Sequence, residues 1–186
     1  MGHHTFDPDG ADRLNDAARR YRHLSRDELL GALALAGDEA VADLGSGTGF
    51  YTDDVAEHAG HVYAVDCQPA MHEHYRRKDI PANVSLVTGD VEAVPVADGA
   101  VDAVVTTMTY HEFAADGDAI AELHRVLAPG GRVVVADWSA DGAGERGPPL
   151  AERFTADDAV AALRDGGFAV SQARSRPETF LVVAER

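Results

Sequence analysis

The chain has 186 residues, the size of one domain, and its 45% hydrophobic content excludes a disordered class. Its 16 basic and 32 acidic residues give a formal net charge of −16, which leaves no basic stripe to neutralise phosphates and argues against direct nucleic-acid binding. One cysteine, Cys67, excludes an internal disulfide and a cysteine-based zinc site, and no run approaches the ~20 apolar residues of a membrane span.

Asp7-Pro8-Asp9-Gly10 reads as a turn, and residues 11 to 22 follow as a helix. Ser25 with Glu28 three residues later is a capping-box pattern that opens a helix to Ala36. From residue 40 strands and helices alternate: strand 40–44, helix 50–59, strand 61–66, helix 69–78 and strand 83–88. An irregular stretch around Pro95 precedes strand 101–107, helix 117–128 and strand 131–137. This alternation predicts a mostly parallel sheet with helices on both faces. Residues 139–149 read as a loop, and Thr155 as the N-cap of a helix ending at Gly166-Gly167. Phe168–Ala173 and Thr179–Ala184 close the chain as an antiparallel hairpin. The organisation expected is one domain, 1–186, with an N-terminal helical cap over 1–38 and an α/β core over 39–186. The start, Met1 to Pro8, has no basic-then-apolar leader, so a cytoplasmic protein is expected.

The most informative stretch is Val41-Ala42-Asp43-Leu44-Gly45-Ser46-Gly47-Thr48-Gly49-Phe50. A buried strand runs into three glycines and then into a helix whose first N–H groups are unpaired and suited to an anion. The spacing is G-x-G-x-G rather than the G-x-G-x-x-G of nicotinamide-dinucleotide proteins. Asp43, two residues before the first glycine, would repel a pyrophosphate but suits an ammonium group. An NAD-binding protein is therefore the weaker alternative.

This decapeptide resembles motif I of the class I S-adenosylmethionine-dependent methyltransferases, and further matches follow in the family's order. His61-Val62-Tyr63-Ala64-Val65-Asp66 resembles the second strand, whose acid takes both ribose hydroxyls. Val87-Thr88-Gly89-Asp90-Val91 resembles the segment whose Asp accepts from the adenine amino group. Val101 to Thr107 looks like the fourth strand, and Leu123-His124-Arg125-Val126-Leu127-Ala128-Pro129-Gly130-Gly131 with Val133 to Asp137 matches the helix, turn and fifth strand. The resemblance implies a Rossmann-like class I methyltransferase fold, α/β, with S-adenosyl-L-methionine as cofactor. It implies a cofactor site at Asp43, Gly45, Ser46, Gly47, Asp66, Cys67, Met71, Asp90, Val91 and Thr107. Asp43 would face the ammonium, N–H groups around Gly47 to Phe50 the carboxylate, and Cys67, Met71 and Val91 the adenine ring.

Thr107-Met108-Thr109-Tyr110-His111-Glu112-Phe113 follows the fourth strand, where the family places acceptor-facing residues. His111 is a candidate general base because imidazole titrates near neutrality; a packed histidine beside the cofactor is the alternative. Tyr110 is the second catalytic candidate, as a pocket-lining side chain. The Asp/Asn-Pro-Pro-Tyr tetrad of amino-group methylation is absent. Asp137-Trp138 ends the fifth strand at the ligand-binding edge of such sheets. Gly147-Pro148-Pro149 and Arg20-Tyr21-Arg22 are candidate lids. His72 and His74, two apart on a predicted helix, point about 200° from each other. They are read as exposed helical histidines, and no metal site is expected.

The Leu-x-Arg-Val-Leu-x-Pro-Gly-Gly turn resembles the ubiquinone-biosynthesis-like members most, which implies a small or medium acceptor. Arsenite-methylating members rely on several cysteines, whereas only Cys67 exists here. A non-catalytic S-adenosylmethionine-binding partner protein is the alternative of a different class. Archaeal methyltransferases resembling this chain include members that dock a small zinc-binding activator protein on an edge strand, here 83–88. Lys78 is the only lysine, and so acidic a surface resembles adaptation to the high-salt cytoplasm of a halophilic archaeon, where salt screens self-repulsion.

Overall fold

The strand Ala40–Leu44 (β1) is buried on both faces and occupies the middle of one sheet, which requires neighbours on each side. The computed structural model describes residues 6–114 and 117–186. A 3-10 helix, Pro8–Asn15, leads into α1 (Ala17–His23) and α2 (Arg26–Leu33), followed by β1, α3 (Phe50–Ala56), β2 (His61–Asp66), α4 (Pro69–Tyr75) and β3 (Val84–Thr88). Then come β4 (Val101–Thr107), α5 (Tyr110–Phe113), α6 (Gly117–Val126), β5 (Leu127–Trp138), α7 (Ala156–Asp165), β6 (Ala169–Ser175) and β7 (Thr179–Glu185).

The seven strands lie in the order β3-β2-β1-β4-β5-β7-β6. β1 pairs in parallel with β2 and β4, β2 with β3, and β4 with β5, while β7 runs antiparallel between β5 and β6. The expected mixed sheet with a C-terminal antiparallel hairpin is therefore present. Alternation sends neighbouring side chains of one strand into two cores. Val133 and Val135 of β5 join the cluster under α6 and α7, while Val134 and Ala136 join the one under α2 and α3. Each fully buried Val or Leu contributes about 1.5–3 kcal/mol relative to exposure. Among the described residues no helix is long and apolar enough to cross a membrane.

Several boundaries differ from the sequence reading, each for a local reason. The helix expected over 11–22 is interrupted at Asp16, whose side chain accepts from the Arg19 N–H at 3.1 Å and so caps α1. Ser25 caps α2 by accepting from the Glu28 N–H at 3.3 Å, and α2 ends at Leu33 because Ala34 turns left-handed. The helices expected over 50–59 and 69–78 stop at Ala56 and Tyr75. β5 begins at Leu127 because that residue pairs with Val101 across an irregular register step. Thr155 forms a full capping box with Asp158.

His72 is not the exposed helical histidine that was expected. With Pro69 opening α4, the helix turns Met71, His72 and Tyr75 inward, and His72 is 1% exposed with Nδ1 3.3 Å from the Thr88 hydroxyl. His74 lies on another face of α4, 3.8 Å from Asp12.

One glycine couples the central turn to α4. Gly49 has φ +75°, and a Cβ there would lie 2.1 Å from the Tyr75 ring, itself fully buried. Gly49→Ala combines left-handed strain with overpacking. It is expected to cost about 3 kcal/mol and to lower the melting temperature by roughly 6–12 °C, measured calorimetrically. An unchanged melting temperature would show that this packing is not tight.

Candidate functional site

Strand order reverses between β1 and β4, and in open α/β sheets ligands occupy the crevice outside the strand ends at that point. A cleft of about 630 Å³ opens there, within the range of small-molecule sites. One wall is the glycine turn after β1. The N–H groups of Gly45 and Ser46 both donate to the Val65 carbonyl, at 2.9 and 3.0 Å, which latches the turn onto β2. Gly45 has φ +75°, and a Cβ there would collide with Thr109, so the turn tolerates only glycine at that point.

Asp66, at the end of β2, accepts from the Gly47 N–H at 2.8 Å through Oδ2 and from the Gln68 N–H at 2.9 Å through Oδ1. Burial pushes its carboxyl up, against those two backbone donors. Each oxygen keeps a further lone-pair site, and Asp66 lines the cleft. Ser46, Gly47, Cys67, Met71, Asp90, Val91 and Thr107 line it too. Asp90 is exposed, with Oδ1 accepting from the Glu92 N–H at 3.2 Å.

Asp43 stands apart from the other expected cofactor residues. It does not line the cleft but lies 1% exposed at the base of the turn. Its Oδ2 accepts from the Thr52 hydroxyl at 2.6 Å, while Oδ1 is buried without a partner. Burial pushes its carboxyl up to about 6, opposed by the Thr52 bond and the Arg20 charge. A buried acceptor without a donor is the feature a ligand cation would complete.

At the other end of the cleft, His111 meets Asp137 of β5. His111 Nδ1 lies 3.0 Å from each Asp137 carboxylate oxygen, and the His111 backbone N–H donates to Oδ2 at 2.6 Å. Asp137 is fully buried and also accepts from the Trp138 N–H at 2.6 Å. Burial works against the imidazolium, yet the hydrogen bond and charge of Asp137 prevail and raise the His111 pKa. With Nδ1 engaged, Nε2 is the nitrogen left for another partner. Trp138 lines the same end, its ring 4.7 Å from that of His23. Gly147, Pro148 and Pro149, read from the sequence as a candidate lid, border the cleft.

Tyr110 departs from the reading that made it a pocket residue. It is 1% exposed, stacked edge-on against Phe113, Phe154 and Phe180 at 5.4, 5.8 and 6.1 Å, and outside the cleft lining. In a one-turn helix residues three apart share a face, so Tyr110 and Phe113 anchor α5 inward and His111 is turned to the cleft. The Arg20-Tyr21-Arg22 segment divides as well. Arg20 lines the cleft, whereas the Tyr21 hydroxyl bonds Asp54 at 2.9 and 3.0 Å, and Arg22 lines a smaller cavity beside it. Gln68 and Leu14 line the cleft without having been singled out in the sequence, while Phe50 and Thr109 line it from segments that were. Gln68 alone carried a signal there, by following the strand-end acid. Among the described residues no group of three or more metal-ligating side chains occurs.

The family described as methyltransferase domain matches residues 42–135, half of the chain. A demethylmenaquinone methyltransferase of Beutenbergia cavernae is 33% identical over 142 residues, covering 70% of this chain and 58% of that protein. The chain spans less than two thirds of the length of such curated relatives. The crystal structure of a SAM dependent methyltransferase from Aquifex aeolicus aligns with a TM-score of 0.85 and 26% identity, covering 97% of this chain and 99% of that one. A chain of the complex between the Haloferax volcanii Trm112 methyltransferase activator and a methyltransferase aligns with a TM-score of 0.78 and 21% identity, covering 96% of each.

The buried Asp43 has a measurable consequence for the ligand-free protein. Its folded pKa, about 6, lies above its ordinary value, so the folded chain holds a proton that the unfolded chain has already released. Its contribution to stability is therefore most favourable below the ordinary carboxylate range and falls as pH rises through about 6. Denaturant titrations between pH 4 and 7 should show a decline on the order of 3 kcal/mol that is missing in Asp43→Asn. Equal pH slopes in the two proteins would mean that Asp43 is solvated.

Proposed function

The chain belongs to the methyltransferase-domain family, and we propose that it methylates a small-molecule acceptor bound beside His111. S-adenosyl-L-methionine is its cofactor. The residues present fit that group. Asp66 is held so that lone pairs remain for two vicinal hydroxyls, Asp90 offers an acceptor for the adenine amine, and Cys67, Met71 and Val91 flank the ring. The unpartnered Asp43 Oδ1, buried just beneath the cleft, would serve the ammonium directly or through a bridging water. Ser46, Gly47 and the N–H groups leading to Phe50 stand at the carboxylate, and Thr107 at the sulfonium end. Bound there, the cofactor supplies a methyl group activated on a positively charged sulfur.

The observation that carries an enzymatic reading is the His111–Asp137 pair facing the open end of the cleft. In this reading Asp137 accepts from Nδ1, fixes the tautomer and leaves Nε2 to take the acceptor's proton. The fully buried carboxylate then stabilises the imidazolium. A binding-only protein has no use for an oriented, cleft-facing base, and this favours the enzyme. An acceptor that loses a proton as it is methylated, such as a hydroxyl, suits this arrangement. The net charge of −16 fits a chain that works in concentrated salt.

Two experiments test these readings. Cell extract incubated with methyl-labelled cofactor should yield one labelled small molecule, identified by mass spectrometry. His111→Gln should slow its formation about 100-fold while cofactor affinity stays within threefold. Because Asp137 raises the His111 pKa, the rate should rise with pH through that value, and Asp137→Asn should move this limb to lower pH. No labelled product, or a wild-type rate in His111→Gln, sinks the proposal.

A protein partner is proposed on a separate observation. β3 is the edge of the sheet and carries no charged side chain, with Val84, Leu86 and Val87 half-buried, so it offers a strand for pairing. The fold likeness to the chain of the Haloferax volcanii complex supports a small zinc-binding activator protein as the occupant. Co-expression with the Trm112 activator should give a co-eluting complex that Leu86→Lys disrupts. A chain that is monodisperse alone, binds cofactor fully and fails to co-elute would remove the idea.

A further inference from the structure

We propose that Arg20 of the N-terminal cap holds the carboxylate of the cofactor's methionine end, forming with Asp43 a two-sided site for a zwitterion. The inference rests on the cofactor reading and assigns a residue outside every motif that supports it.

Arg20 lines the cleft at the first turn of α3. Its guanidinium carbon lies 4.7 Å from the Tyr51 ring centre and 5.6 Å from that of Phe50. Its backbone carbonyl accepts from the Tyr51 hydroxyl at 3.1 Å, so the residue is pinned to α3 from both ends. The side chain is thus oriented before any ligand arrives, which lowers the entropy cost of binding.

Among the described residues no carboxylate forms an ion pair with the guanidinium, although the chain holds 32 acidic residues. Its Nε is buried without a hydrogen-bond acceptor. Cations away from the cleft face carboxylates: Arg125 is paired with Glu122 and Asp98, Arg132 with Glu185, and Arg26, whose Nε also lacks a hydrogen bond, with Asp54 and Glu57. Burial lowers the Arg20 pKa, the direction expected of a cation short of partners, while the Asp43 charge works the other way. Asp43 and Arg20 are thus near enough to feel each other, yet each keeps an unpartnered polar atom. An unmatched anion and an unmatched cation at one helix start complement a group bearing both an ammonium and a carboxylate. A guanidinium also adds what the N–H groups of the seven-residue α3 do not provide, a full charge in forked geometry.

The test is calorimetric and independent of catalysis. S-adenosylmethionine and its decarboxylated analogue, which lacks only the carboxylate, are titrated into wild type, Arg20→Gln and Arg20→Lys. Arg20→Gln should weaken S-adenosylmethionine roughly 10–100-fold and the analogue less than threefold, with Arg20→Lys in between. Unchanged S-adenosylmethionine affinity in Arg20→Gln overturns the proposal. So does an equal loss for both ligands, which would make Arg20 a structural residue of the cap. A wild-type chain that binds neither ligand overturns the cofactor assignment itself.

Discussion

The cleft depends on the carboxylate of Asp66 more than on any other group. Its two oxygens accept from backbone N–H groups on opposite sides, Gly47 in the turn after β1 and Gln68 before α4. One residue earlier, the Val65 carbonyl accepts from both Gly45 and Ser46. The last two residues of β2 therefore hold the glycine turn at three points. That grip exists only because β1 and β2 pair in parallel with Leu44 opposite Val65, which brings both strand ends to the same level. Asp66 is scaffold, and in the proposed cofactor reading also ligand group, so its loss would release the turn as well as remove an acceptor.

Charge distribution then separates scaffold from site. Away from the cleft, buried or half-buried charges are matched: Glu122 accepts from Arg125 and from the Val94 N–H, and the buried Arg153 donates to the Pro148 and Ser139 carbonyls. Within or just beneath the cleft, Asp43 Oδ1, Ser46 Oγ and Arg20 Nε lack hydrogen-bond partners, whereas Arg26 Nε and Arg176 Nη1, which lack them too, face the carboxylates of Asp54 and Glu28 at 3.2 and 2.9 Å. An unpartnered buried polar atom costs about 1–3 kcal/mol, so three of them around one helix start represent stability that a ligand with matching donors and acceptors would restore. A strong acidic bias makes this contrast sharper, because carboxylates are plentiful and yet, among the described residues, none forms an ion pair with Arg20.

The donor half was legible in the sequence because its geometry is backbone geometry. Glycines at 45, 47 and 49 and acids at strand ends follow from turn sterics and strand period, and both survive as local patterns. Hence the strands fell within a few residues and the cleft lining included Ser46, Gly47, Asp66, Cys67, Met71, Asp90, Val91 and Thr107. What was not legible depended on phase or on tertiary contact. Tyr110 and His111 are adjacent, and only the one-turn α5 decides which of them faces the cleft. His72 reads as a surface residue until Pro69 sets the register of α4 and buries it. Arg20 belongs to a segment whose docking rests on Tyr51, 31 residues away, a contact that no local pattern carries.

The same distinction explains why the acceptor is harder to read than the donor. One side of the acceptor end is rigid: α5 is anchored by Tyr110 and Phe113 in the core, and Met108 before it takes φ +58° while its N–H bonds the Ala136 carbonyl at 2.8 Å. A left-handed methionine is strained, and such strain persists only where the surroundings over-determine it. This fixes His111 against Asp137. The facing side draws mostly on elements outside the sheet, namely His23 of α1 and Pro148 in the loop after β5, beside Trp138 at the last pairing of that strand. These parts can change in side chain and loop length without disturbing the turn or Asp66. A fold that holds its donor by backbone and its acceptor by appended loops can change acceptor while keeping its chemistry. In such a fold the base and its orienting acid are what remain readable of the acceptor.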